Sequence, residues 1–190
     1  MKKIFAVILF AVLMTAGAVQ AQTKNPKVLI DTSMGQIEAE LYPDKAPVTV
    51  TNFLEYVNNK FYDGLVFHRV IPGFMIQGGG MNADMQEKAG RSPIKIESDN
   101  GLKNDRGTLA MARTSDPNSA TSQFFINLVD NPFLNFKAKS TAGYGYAVFG
   151  KVTKGMDIVD KIAQVKTGNK GFHENVPLTP VIIKSIRVIK

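Results

Sequence analysis

The sequence predicts a mainly β domain: an eight-stranded closed antiparallel barrel capped by two α-helices. Three observations predict it. About eight short apolar segments are separated by turn residues, several with apolar and polar residues alternating. Only two stretches carry the 3.6-residue period of an amphipathic helix. Many antiparallel strands in one domain favour closure, which leaves no edge unpaired. The chain has 190 residues, 44% apolar and 21% charged, which suits one globular domain.

In chain order, Lys27 to Ser33 and Gln36 to Tyr42 read as two strands joined at Met34-Gly35. In the second, Ile37, Ala39 and Leu41 alternate with Glu38 and Glu40. Val48 to Lys60 reads as a helix, with Val50, Phe53, Leu54 and Val57 on one face and Pro47 in its first turn. Val66 to Val70 and Phe74 to Gln77 flank the turn Ile71-Pro72-Gly73. Gly78-Gly79-Gly80 ends that pair and suits a tight bend or a close backbone approach. Residues 81 to 93 are polar and irregular. Thr108 to Ala112, Gln123 to Leu128 and Tyr146 to Val152 read as strands. Asp157 to Val165 reads as the second helix, with Ile158, Ile162 and Val165 on its stripe, and Val181 to Ile189 as the last strand.

The first 21 residues differ in composition. They hold 16 apolar residues and no acid, start with Lys2-Lys3, run apolar from Ile4 to Met14 and end Val19-Gln20-Ala21. This is the pattern of a secretory signal peptide, and the run is too short to span a bilayer. Cleavage after Ala21 is expected, giving an exported, periplasmic protein with a short extension, residues 22–26, before a single domain over 27–190. It removes two lysines and no acid, lowering the formal charge from +7 to +5. The remaining Lys and Arg are scattered, so they read as solvated surface rather than a nucleic-acid face.

Several chemistries are excluded by inventory. There is no cysteine, hence no disulfide, thiol nucleophile or thiolate metal site. Two separated histidines, His68 and His173, make no readable zinc site. The stretch Gly145 to Lys151 has phosphate-loop spacing, but its Tyr-Ala-Val-Phe interior is a strand and Val152 follows the lysine. No metal and no cofactor is expected.

What remains is Phe-His-Arg-Val-Ile-Pro-Gly-Phe-Met-Ile-Gln-Gly-Gly over residues 67–79, with more aromatic surface at Ser122 to Ile126 and at Asn131 to Leu134. One guanidinium beside large apolar groups suits a greasy ligand that carries a carbonyl. The first stretch closely resembles the signature of the cyclophilin family of peptidyl-prolyl cis-trans isomerases. Gly107 to Ala112, Ser122 to Ile126 and Tyr146 to Val152 appear in that family's order, and the resemblance runs from about Lys27 to Lys190. The short first hairpin and the leader look most like the exported bacterial branch.

The resemblance implies a cyclophilin-like barrel and an isomerase that accelerates rotation of X-Pro bonds in exported proteins, assisting their folding. It implies that Arg69 is catalytic, acting without covalent chemistry by stabilising the twisted amide. Phe74, Met75, Phe125 and Leu134 match the pocket for the proline ring. Gln77 and Gln123 match polar groups that hold the substrate backbone, and Ala112 a backbone contact. Three positions depart from many eukaryotic members: Phe133 replaces tryptophan, Tyr146 histidine and Arg113 asparagine. The first weakens the expected binding of cyclosporin, and Arg113 alters the peptide preferred. His68 is expected to be structural, because neighbours on a strand face opposite ways, and His173 to lie in a surface loop. The expected partners are proline-containing segments of unfolded or partly folded exported proteins. They are bound by a monomer, without nucleic acid, and without membrane after cleavage. A non-catalytic chaperone that binds proline segments in the same groove is the alternative.

Overall fold

Apolar segments that alternate along their length pair into one antiparallel sheet in the computed structural model, which describes residues 25–190. The expected leader lies outside the described residues. The elements are β1 (Lys27–Thr32), β2 (Gly35–Leu41), α1 (Pro47–Asn58), β3 (Phe67–Ile71), β4 (Met75–Gly78), β5 (Thr108–Met111), β6 (Phe124–Asn127), a 3-10 turn (Pro132–Leu134), β7 (Val148–Lys154), α2 (Met156–Ala163), β8 (Thr167–Lys170), β9 (His173–Pro177) and β10 (Ile183–Ile189). Eight strands form one sheet in the order β10-β1-β2-β7-β5-β6-β4-β3.

The sheet curls until its edges β3 and β10 meet, but they do not form a ladder. A single bridge, Val66 to Ile182, joins them, flanked by Phe67 N donating to Val181 O (2.9 Å) and Ile183 N to Leu65 O (2.7 Å). "Closed" therefore overstates a barrel sealed at one point.

The inside is filled. Ile37, Ala39 and Leu41 are fully buried, as the alternation in β2 requires. The Phe53 ring lies 5.5 Å from that of Phe124 and 5.1 Å from that of Phe149. Both helices bury a face in this same interior: Val50, Phe53 and Val57 from α1, with Leu54 partly buried, and Val159 and Ile162 from α2, whose expected stripe residues Ile158 and Val165 are only partly buried. Such a packed interior leaves the outer face of the sheet for ligands.

Two features were not expected. The surroundings of His173, read as a surface loop, belong to a second sheet of two strands, β8 and β9, turning at Gly171-Phe172 with Gly171 at φ +61°. His173 thus starts a strand and is half-buried. The N-terminus of α1 is capped from afar: Val48 N and Thr49 N donate to the Glu97 carboxylate at 3.0 and 2.8 Å, and Thr49 Oγ1 at 2.7 Å. Those backbone N–H groups have no partner within the helix, and its dipole favours an anion there.

Candidate active site

Five strands aim one row of side chains outward. The registers pair Arg69 with Gln77, Gln77 with Phe125, Phe125 with Ala110 and Ala110 with Val148 across β3, β4, β6, β5 and β7. The adjacent row, Val70, Ile76, Ile126 and Leu109, is fully buried in the barrel interior. Period-2 alternation thus separates an inner core from an outer cluster of Met75, Ala110, Phe125, Leu134 and Val148.

Arg69 reaches the outer row through an irregularity. On a regular strand it would share a face with Phe67, two residues earlier. Phe67 is fully buried in the interior, its ring 6.1 Å from that of Phe124. The β3–β4 register shifts between Phe67 and Arg69, leaving His68 as the extra residue of a β-bulge. The bulge turns Arg69 outward, which is what bulges beside binding sites commonly do. The expectation for His68 is corrected in its reason: strict alternation fails at this point. His68 does not line the cavity with Arg69, is 6% exposed and leaves its Nδ1 without a partner. Burial, then the nearby His173 and Arg69, lowers its pKa from 6.5 to about 4.

The outer cluster floors a cavity of about 170 Å³ lined by Arg69, Phe74, Met75, Gln77, Ala112, Arg113, Phe125, Leu134 and Tyr146. Of the expected site residues, only Gln123 and Phe133 stand outside this lining. Gln123 is held beside it, since Gln77 Nε2 donates to Gln123 Oε1 at 3.0 Å. Gln123 also lines an adjoining open cavity of about 330 Å³ with Gln77, Ala112, Arg113, Glu87 and Thr121. Phe133 is 60% exposed and stacks on Phe74 with ring centroids 5.6 Å apart, at the rim. The Phe125 and Tyr146 rings meet edge to face at 5.5 Å.

Glycine serves this site at two places. Gly73, with φ +72°, completes the Pro72-Gly73 turn that places Phe74. At Gly80 a Cβ would overlap Gln123, so its absence lets that side chain lie against the backbone.

Two guanidinium groups line the cavity, and they differ. Arg113 donates Nε to Gly145 O (2.9 Å) and Nη1 to Thr114 O (2.8 Å), and sits 4.9 Å above the Tyr146 ring. Its fork is largely committed to shaping the wall. Arg69 is half-buried, and among the described residues it has no hydrogen-bond or ion-pair partner. A half-desolvated guanidinium with free donors faces the apolar cavity.

Sequence reasoning missed the polar frame behind these walls. Asn104, Asn127 and Asn131 are buried and hydrogen-bonded to one another and to wall residues. Asn104 and Asn131 lie between strands, where asparagine reads as a turn residue, and Asn127 ends a strand, so no local pattern marked the three as a set.

Comparison with known proteins agrees with this geometry. Residues 27–188 match the family described as cyclophilin type peptidyl-prolyl cis-trans isomerase/CLD. The chain is 53% identical over 190 residues to peptidyl-prolyl cis-trans isomerase A of Dickeya dadantii, covering all of this chain and 98% of the relative. It is 57% identical over 161 residues to peptidyl-prolyl cis-trans isomerase B of Escherichia coli, covering 85% and 98%. A crystal structure of a cyclophilin type isomerase from Cryptosporidium parvum superposes with a TM-score of 0.75 at 31% identity, covering 87% and 98%. The same protein in the presence of the dipeptide Ala-Pro gives 0.74, covering 86% and 99%. The fold is shared with these solved structures, and the chain belongs to the cyclophilin-type peptidyl-prolyl cis-trans isomerase family.

Proposed function

We propose that Arg69 catalyses cis-trans rotation of X-Pro bonds held in the 170 Å³ cavity, by donating to the amide as it twists. The peptide C–N bond has partial double-bond character and a rotation barrier of roughly 18–20 kcal/mol. Rotation requires no bond to break. At the top of the barrier amide resonance is lost, and the nitrogen becomes pyramidal and basic. A donor aimed at that nitrogen, or at the neighbouring carbonyl oxygen, binds the twisted amide better than the planar one, which is selective transition-state binding. The observation that carries this reading is the contrast between the two cations: Arg113 is occupied, and Arg69 is free and half-desolvated. Arginine stays charged throughout and presents fixed donors.

The other residues position and exclude. Phe74, Met75, Phe125 and Leu134 receive the proline ring and keep out water that would compete for the donor. Gln77 and Gln123, locked to each other, present their remaining amide groups to the substrate backbone. Tyr146 and Phe133 complete the rim.

The two curated relatives named above are bacterial isomerases, and the first 21 residues carry a leader pattern. These support action on exported proteins, as a folding assistant outside the inner membrane. Among the described residues no helix is long and apolar enough to cross a membrane. The test is the rate of cis-to-trans exchange of an X-Pro peptide with wild-type protein and with Arg69→Ala. Acceleration by the first and near-loss in the second supports the proposal. Equal rates would sink it.

A further inference from the structure

The cavity's floor and its walls are held in different ways. Met75, Ala110 and Phe125 lie on strands, fixed by ladder hydrogen bonds. Phe74, Leu134 and Tyr146 do not. Phe74 ends a turn before β4, Leu134 sits in the 3-10 turn, and Tyr146 precedes β7. Another scaffold must set the distance between these walls.

Three buried asparagines form a continuous chain from one wall to the other. At one end Asn131 Nδ2 donates to Phe74 O (3.1 Å) and to Asn127 Oδ1 (2.8 Å). In the middle Asn127 Nδ2 donates to Thr108 Oγ1 (2.9 Å) and to Asn104 Oδ1 (3.3 Å). At the other end Asn104 Nδ2 donates to Leu134 O (3.1 Å) and Tyr146 O (3.3 Å). The backbone closes the loop, with Asn131 N donating to Asn104 O at 2.8 Å. Asn104 and Asn127 are fully buried and Asn131 is 3% exposed. None shares a regular element with another: Asn104 precedes β5, Asn127 ends β6 and Asn131 follows it. Plain space-filling would be done at lower cost by apolar side chains, because each buried amide must find partners. Here most links end on a wall or on the next asparagine, and the remaining ones end on Thr108 Oγ1 and Asn135 Oδ1.

We propose that Asn104, Asn127 and Asn131 are positioning residues that set the width of the proline pocket, a role that rests on reading this cavity as the substrate site. They touch the walls only through backbone carbonyls and stand apart from Arg69. They therefore govern how well the ring is held and not how fast a held bond turns.

The experiment separates these two quantities by NMR in wild type, Asn131→Ala, Asn104→Ala and the double variant. Dissociation constants come from titration with the dipeptide Ala-Pro, and on-enzyme exchange rates from a longer Ala-Pro peptide at saturation. Each single variant is expected to weaken dipeptide binding by about three- to tenfold, with on-enzyme exchange within about twofold of wild type. The double variant loses less than the product of the two, because one chain is then broken twice. Should Asn104→Ala not fold, Asn131→Ala carries the test alone, since Phe74 O still accepts from Leu128 N at 2.9 Å. A lowered melting temperature with an unchanged dissociation constant would make the asparagines structural filler and overturn the inference. A dipeptide that leaves the wild-type signals of Phe74, Leu134 and Tyr146 unmoved would overturn the site reading itself, and this inference with it.

Discussion

Phe67 and Arg69 stand two residues apart on one strand yet face opposite sides of the sheet, because His68 is bulged between them. The core and the proposed reaction centre are thus separated by one inserted residue. The bulge resolves a conflict in the local sequence. Phe67 belongs with the interior rings, Val70 belongs with the interior row, and Arg69 must point out between them.

That bulge has a pH signature. Folded His68 takes a proton near pH 4, whereas an unfolded histidine takes one near 6.5. Between those values the unfolded chain binds more protons, so stability falls as pH drops from 6.5 to 4, by on the order of 3 kcal/mol in all. Denaturant midpoints followed from pH 7 to 4 should fall more steeply for wild type than for His68→Leu. Parallel slopes would mean that His68 is free to charge in the fold.

Glu97 is expected to stabilise the domain from outside the helix that it caps. Glu97→Ala leaves Val48 N, Thr49 N and the buried Thr49 hydroxyl without their acceptor. A loss of about 2 kcal/mol in unfolding free energy should follow, read from urea denaturation. A change below a few tenths of a kcal/mol would show that water replaces the carboxylate without penalty.

At the rim, Phe133, where the family resemblance leads one to expect the tryptophan of many eukaryotic members, presents a ring that is 60% exposed and has no donor. Short proline peptides should turn over as usual. A macrocycle of the cyclosporin type that needs the indole N–H is expected to bind roughly tenfold more weakly than to Phe133→Trp, the size of one unmade hydrogen bond. Inhibition of the two proteins side by side measures this. Equal, tight inhibition would remove Phe133 from the binding rim.

Protein taken from its native host should start at Gln22 and be soluble outside the inner membrane. N-terminal sequencing decides it. A start at Met1 with membrane-bound protein would contradict the leader reading.

Much of the fold was legible because its signals are local. Alternation in β2 marked Ile37, Ala39 and Leu41 as interior, and the stripe of α1 marked Val50, Phe53, Leu54 and Val57; all are buried except Leu54, which is partly so. The site residues followed from a motif resemblance, and most of them converge on one cavity. What was not legible depends on partners distant in sequence. β8 reads Thr-Gly-Asn-Lys, with no apolar period, and is defined by its pairing with β9. Glu97 lies 48 residues from the Thr49 that it caps. Asn104 and Asn127 are 23 residues apart. The bulge at His68 shows only in the β3–β4 register, and it breaks the alternation on which a one-strand reading relies.

The central claim is that a free Arg69 guanidinium lowers the barrier to X-Pro rotation, and on-enzyme exchange of a bound Ala-Pro peptide tests it most directly. Exchange spectroscopy on saturated wild type and Arg69→Ala reads the rotation step apart from binding. Losing one preorganised donor should slow on-enzyme rotation by about 10²–10³-fold, with the dissociation constant within about fivefold and the far-UV circular dichroism unchanged. Rotation at the wild-type rate in folded Arg69→Ala would contradict the account, leaving the cavity to act without its cation.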